Sequence, residues 1–123
     1  MATHNDFGKK AEDLAVEHLL RSGYKILSRN FRFQKAEIDI IAEKEDLIII
    51  VEVKARSTDA FMLPQEAVKK SKIKLIVSAA DRYLEEYNRN EEVRFDIITV
   101  LPDEERNLVI EHIIHAFDAF DAN

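Results

Sequence analysis

The chain contains no cysteine, and only two glycines and two prolines among its 123 residues. Without cysteine there is no disulfide, no thiolate metal site and no thiol nucleophile, and the composition sits easily with a reducing cytoplasm. The longest apolar run, "LIIIV", is far shorter than the roughly 20 residues a membrane-spanning helix needs. The opening "MATHNDFGKKAED" lacks the apolar core of a signal peptide. A cytoplasmic protein with no membrane attachment is expected. No repeat, low-complexity tract or linker interrupts the chain, so residues 1–123 are expected to form one domain, large enough to bury a core without metal or disulfide staples.

With 46% hydrophobic and 34% charged residues, the chain has the composition of a folded soluble protein. Its net charge of -6 argues against a polyanionic partner, but the charge is uneven. Residues 1–74 hold 14 Lys and Arg against 12 Asp and Glu, whereas residues 75–123 hold 4 against 12. Only the first part can favour phosphates, and "RNFRFQK" (29–35) and "KKSKIK" (69–74) concentrate its bases. Either cluster alone is equally explained by solvated side chains on exposed faces.

Residues 7–21 place Phe7, Ala11, Leu14, Ala15 and Leu19 on one helical stripe, with Gly23 as a stop signal and Glu12 on the border of the apolar arc. "YKILSRNFRF" (24–33) and the two Ile- and Val-rich runs of "EIDIIAEKEDLIIIVEVK" (37–54) predict an antiparallel three-stranded meander. A two-residue turn at Glu45–Asp46 sets Asp39 opposite Glu52 and Glu37 opposite Lys54 on one face. "ARSTDAFML" (55–63) reads as a flexible loop. A long helix is predicted from Pro64 to about Asn88, with Val68, Leu75, Ile76, Ala79, Ala80, Tyr83, Leu84 and Tyr87 as its apolar stripe and Gln65, Lys69 and Lys72 on the same face nearer its start. "VRFDIITV" (93–100) and "LVIEHIIHAF" (108–117) predict two further strands.

Asp39 and Glu52 side by side repel, and each raises the pKa of the other unless a positive group intervenes; Glu12 is a candidate third carboxylate. A hard divalent cation answers that repulsion, because Mg2+ takes carboxylate oxygens and keeps places for water or substrate phosphate. Lys54, two residues beyond Glu52, projects from the same strand face, where it can orient a water or neutralise a pentavalent transition state. Asp, Glu and Lys together point to metal-assisted phosphodiester hydrolysis.

The pattern Asp39, Glu52, one residue, Lys54 resembles the D-x(n)-E-x-K signature of the PD-(D/E)XK nucleases. More narrowly, "GKKAEDLAVEHLLRSGYKILSRNFR", "AEIDIIA", "VEVKARS", "RFDIITV" and "IEHIIHAF", in that order, resemble the YraN-like bacterial family regarded as endonucleases, itself similar to archaeal Holliday-junction resolvases. The short signature alone is a weak motif, but the likeness covers nearly the whole chain. It implies the restriction-endonuclease-like α/β fold, a mixed central sheet flanked by helices. It implies Asp39 and Glu52 as ligands of Mg2+ or Mn2+ with the carbonyl of Val53, and Lys54 as the catalytic lysine. Glu12 matches a first-helix glutamate of the resolvase-like members, and Gln65 and Lys72 match polar positions at the start of the second helix. Ala11 and Ala36 stand where the family usually has glycine, which predicts tighter packing beside Glu12 and Glu37.

The expected partner is DNA, with branched and single-stranded forms among the candidates, held by Arg29, Arg32, Lys35, Arg56, Gln65, Lys69 and Lys72. Junction resolution would also need a homodimer. A cross-strand salt-bridge cluster is the competing explanation of Asp39, Glu52 and Lys54, and a lysine partner that of Glu12. Lys69 and Lys72 could equally be snorkelling side chains at the core edge. His112 and His115 fall on opposite faces of a strand and make a poor metal pair, His18 is expected on a helix face, and Ser57 has no nearby histidine to activate it. Two functions from different classes follow: a DNA-hydrolysing enzyme, or a nuclease fold that only binds nucleic acid or a protein partner.

Overall fold

A computed structural model describes residues 4–56 and 68–122. The first helix, α1 (His4–Arg21), buries Ala11, Ala15 and Leu19 completely, a spacing of four that keeps them on one face. It ends as expected. Gly23 takes a φ of +87°, in the left-handed region that glycine enters without strain, and the amide of Tyr24 returns to the carbonyl of Leu19 at 2.9 Å.

The meander follows as β1 (Lys25–Phe33), β2 (Ala36–Lys44) and β3 (Leu47–Ala55). Lys44 pairs with Leu47, so the connection is the two-residue turn Glu45–Asp46, and Glu45 has the positive φ (+56°) that such tight hairpins require. After α2 (Lys70–Glu86) come β4 (Glu92–Pro102), β5 (Leu108–Phe117) and a 3-10 turn at Ala119–Ala122. The five strands lie in the order β1-β2-β3-β4-β5. β4 runs parallel to β3 and antiparallel to β5, since a parallel neighbour is reached only through a long crossover, here the one containing α2.

A helix covers each face of this mixed sheet. Ile40, Ala42, Ile49, Val51 and Val100 pack on the α1 side, whereas Ile38, Ile41, Ile48, Ile50 and Ile97 pack on the α2 side. β3 is covered on both faces, which is why "LIIIV" is continuous rather than alternating, and each such isoleucine contributes about 1.5–3 kcal/mol by burial. The architecture is mixed α/β and consistent with the restriction-endonuclease-like fold. Among the described residues no helix is long and apolar enough to cross a membrane.

Two expectations are corrected. The second helix does not continue back through Lys69, whose backbone is extended (φ -73°, ψ 154°), and it ends at Glu86. Pro64, Gln65 and most of the 55–63 loop lie outside the described residues. Ile76, Ala79, Ala80 and Tyr83 of the expected stripe of α2 are buried, Ile73 joins them, and only Leu75 and Tyr87 are exposed instead.

One irregularity matters for the site. Ile38 packs toward α2 but Ile40 toward α1, so face alternation slips at Asp39. Asn30, opposite Asp39 between the pairs Arg29–Ile40 and Phe31–Ile38, has a φ of +55°. The ladder is locally twisted at that pair, as happens where a strand re-aims a side chain.

Candidate active site

The β2–β3 register runs out to Ile40 opposite Val51, and the next residues outward are Asp39 and Glu52. Oδ2 of Asp39 accepts the backbone N–H of Val53 at 2.8 Å, so the carboxyl group itself bridges to β3. Glu52 follows Ile48 and Ile50 at the two-residue strand period and therefore faces α2. There Oε1 of Glu52 meets Nζ of Lys72 at 3.4 Å, while its buried Oε2 receives no hydrogen bond among the described residues.

Asp39 and Glu52 are neighbours, and each carboxyl opposes ionisation of the other. Burial first, and then Glu52, pushes the Asp39 carboxyl up to about 8; the Val53 amide and Lys72 oppose that rise only in part. Lys54 stands two residues along on the same face. Burial pushes its amine down, against the pull of Glu52, and Lys72 reinforces the depression. Lys72 suffers the same burial, but Glu52 and the hydrogen bond to Lys54 outweigh it and hold its ammonium above the ordinary range. Two carboxyls and two amines form one cluster, in which the ammonium of α2 is the direct partner of Glu52.

The other predicted residues are placed differently. Glu37 turns to Arg32, its neighbour across β1–β2, at 2.9 Å, and so is not the partner of Lys54. Glu12 accepts hydrogen bonds from Nε of Arg29 and Nδ2 of Asn30, each at 3.0 Å. Its partners are an arginine and an asparagine rather than a lysine, and through Asn30 it is tied to the residue opposite Asp39. Arg29 is also bound to Asp13 at 2.7 Å, so two carboxylates of α1 already neutralise it. Arg32 remains 78% exposed despite its ion pair, and Lys35 and Lys69 are exposed. Arg56, just past β3, is half-buried, and its amide bonds the carbonyl of Val100. Gln65 and Ser57 lie outside the described residues. Ala11 and Ala36 are both buried, as tighter packing at those positions predicts.

A second polar cluster was not foreseen. Asp96, fully buried on β4, accepts two bonds from Arg94, one from the backbone of His115 at 3.0 Å and one from Nε2 of His112 at 2.7 Å. Arg94 also reaches Tyr24, and Nδ1 of His112 meets Nε2 of His18 at 3.1 Å. Burial alone would raise the Asp96 carboxyl, but the His112 and Arg94 bonds hold it below its ordinary value. Only the spacing of Arg94 and Asp96, two apart on a strand, hinted at this arrangement. His18, from α1, joins β5 through tertiary contact alone.

Among the described residues no three acidic or histidine side chains converge as a ready-made metal site. The carboxyl pair nevertheless fits a hard cation: Oε2 of Glu52 is buried without a donor, and Asp39 is held beside it by the backbone N–H of Val53. Mg2+ characteristically takes one or two carboxylates and fills its remaining places with water or substrate phosphate.

The family model described as "Uncharacterised protein family UPF0102" matches residues 11–100, a span that contains Asp39, Glu52, Lys54 and Lys72. A UPF0102 protein of Flavobacterium psychrophilum is 52% identical over 120 residues, covering 98% of this chain and 100% of its own. One from Christiangramia forsetii is 48% identical over the same shares, and one from Bacteroides fragilis is 50% identical over 95% of this chain and 96% of its own. The chain belongs to the UPF0102 family.

Proposed function

We propose that this protein is a metal-dependent endonuclease of the PD-(D/E)XK type that hydrolyses DNA phosphodiester bonds at Asp39, Glu52 and Lys54. The observation that carries this reading is the carboxyl pair, in which Oε2 of Glu52 is buried with no donor and the half-buried Asp39 is pushed up to about 8. A folded protein gains nothing in stability from such an arrangement, whereas a bound cation offsets the repulsion. Asp39, Glu52 and the Val53 carbonyl would hold Mg2+ or Mn2+, which supplies positive charge against a scissile phosphate. Lys54 holds the attacking water by hydrogen bond. Lys72 fixes Glu52 and, half-exposed, can also meet a phosphate oxygen. The water oxygen forms a bond to phosphorus as the ester P–O bond breaks; one product keeps the phosphate, and the released oxygen is protonated to a hydroxyl.

Arg32, Lys35, Lys69 and Lys72 are the cations best placed to hold the DNA backbone, whereas Arg29 is engaged within the protein. A cytoplasmic location agrees with the lack of cysteine. Resolution of branched DNA would require two such centres in a dimer. The alternative, a binding module that does not cut, draws on the net charge of -6 and on the ion pairs that Arg29 and Arg32 make with the protein's own carboxylates. A panel of labelled duplex, flap, junction and single-stranded DNA, with Mg2+, Mn2+ or chelator, separates the two. Metal-dependent products support the enzyme, and binding without any product supports the module.

A further inference from the structure

Among the described residues, two buried side-chain oxygens have no hydrogen-bond partner: Oε2 of Glu52 and Oγ1 of Thr99. The second belongs to β4, where Thr99 is only 2% exposed. Its neighbours Ile97, Ile98 and Val100 are aliphatic, and a valine would have the same shape without the hydroxyl. An unpaired buried hydroxyl lowers stability, so its place in the fold calls for a ligand.

That ligand's position follows from the register. Phe95 and Ile97 pack on the α2 side, so Thr99 faces the same way as Glu52 and Lys54. β3 and β4 run parallel, with Lys54 beside Thr99 and Glu52 beside Ile97. Adjacent strands are about 4.8 Å apart, which sets the Thr99 side chain next to that of Lys54 and one diagonal step from that of Glu52. The two unpartnered oxygens thus flank one lysine on one face.

We propose that Thr99, Lys54 and Glu52 form a binding site for a single water molecule, and that Thr99 is the positioning residue for the water that attacks the phosphodiester. The second half rests on the nuclease reading; the first does not. A buried water needs two to four polar partners, and the hydroxyl, the amine and the free carboxylate oxygen provide three. The hydroxyl can donate and accept, so it can fix the orientation of that water beside Lys54 without itself carrying charge.

The test uses the full chain and its Thr99→Val and Thr99→Ser variants. A high-resolution crystal structure of the metal-free parent is expected to show an ordered water within hydrogen-bonding distance of Oγ1 of Thr99 and of Lys54 or Glu52. Thr99→Ser keeps this water and Thr99→Val loses it. Thr99→Val melts no lower than the parent, binds DNA within twofold of it, and cuts at least tenfold more slowly in single turnover, while Thr99→Ser restores most of the rate. A dry Thr99 hydroxyl overturns the water site. Parent-like cleavage by Thr99→Val, or a loss confined to DNA affinity, overturns the positioning role. An ordered water in a protein that cuts no nucleic acid leaves the site standing and removes the nuclease reading, and cleavage with a dry Thr99 does the opposite.

Discussion

Replacing Asp39 with asparagine should stabilise the metal-free protein, although the side chain is half-buried and hydrogen-bonded. The amide keeps the shape and leaves an oxygen for the Val53 N–H, but it removes a carboxyl that burial and Glu52 push up to about 8 from an ordinary 3.8. Because the folded state binds this proton more tightly than the unfolded chain, stability is greatest below about pH 4 and declines as pH rises toward about 8. At ~1.4 kcal/mol per pH unit, that interval sets a ceiling of roughly 6 kcal/mol. Relaxation and water access on the half-buried side reduce the realised cost to about 2 kcal/mol, or a rise in Tm of about 8 °C for Asp39→Asn at pH 8. Thermal melts of parent and variant from pH 4 to pH 9, with chelator and with Mn2+, provide the measurement. The parent should lose stability with rising pH and regain it with Mn2+; the variant should show a flatter profile and no metal response. A cross-strand salt bridge predicts a destabilised variant, a parent that gains stability above pH 4, and no effect of Mn2+. That pattern would refute the carboxyl pair as a cation site.

Lys54→Ala should bind Mn2+ and DNA nearly as the parent does while its single-turnover cleavage falls by roughly a hundredfold, the scale of losing one electrostatic or acid-base group; unchanged cleavage would remove the lysine from the chemistry. Neutralising Arg32 and Lys35 together should weaken DNA binding and reduce the salt slope by about two, whereas Arg29→Gln should alter the slope little because Glu12 and Asp13 already hold that arginine; titrations at several salt concentrations read both. Asp96→Ala strips four hydrogen bonds from a fully buried position and leaves Arg94 and His112 without their carboxylate, so denaturant unfolding should show a loss of about 3–5 kcal/mol. A loss below about 1 kcal/mol would mean that water replaces the carboxylate.

The parts of this molecule that local chemistry determines were legible in its residues. Glu45–Asp46 between two β-branched runs admits a tight turn, and once that turn has two residues the positions of Asp39 and Glu52 follow by counting. Ala11, Ala15 and Leu19 similarly mark their own helix face. Where a position depends on distant chain, the reading failed. Pro64 suggested a helix start, but Lys69 is extended and the helix begins at Lys70; the stripe named most of its buried face, yet included the exposed Leu75 and missed Ile73. The slip in alternation at Asp39 depends on the left-handed Asn30, which Glu12 holds from another element. The Asp96 network draws on α1, β4 and β5 and the chain preceding β1, and no short window of sequence contains it.

The location of the carboxyl pair follows from topology. β3 and β4 are parallel, so their C-terminal ends lie together, and open mixed and parallel sheets bind ligands at that end. Glu52 and Lys54 occupy the last part of β3, Thr99 the corresponding part of β4, and Lys72 the first turn of the helix that follows β3. Deeper in the same strands, Ile48, Ile50, Phe95 and Ile97 fill the α2 face with apolar side chains. The change from apolar to polar therefore takes place within one strand face, over the single step from Ile50 to Glu52. Continuing that face with valine or isoleucine would have removed the raised carboxyl at Asp39 and both unpartnered oxygens at once, with a gain in stability. Local packing rules broken together at one end of an otherwise consistent sheet are what the proposed cation site predicts, stability there being lower because groups are held for a ligand.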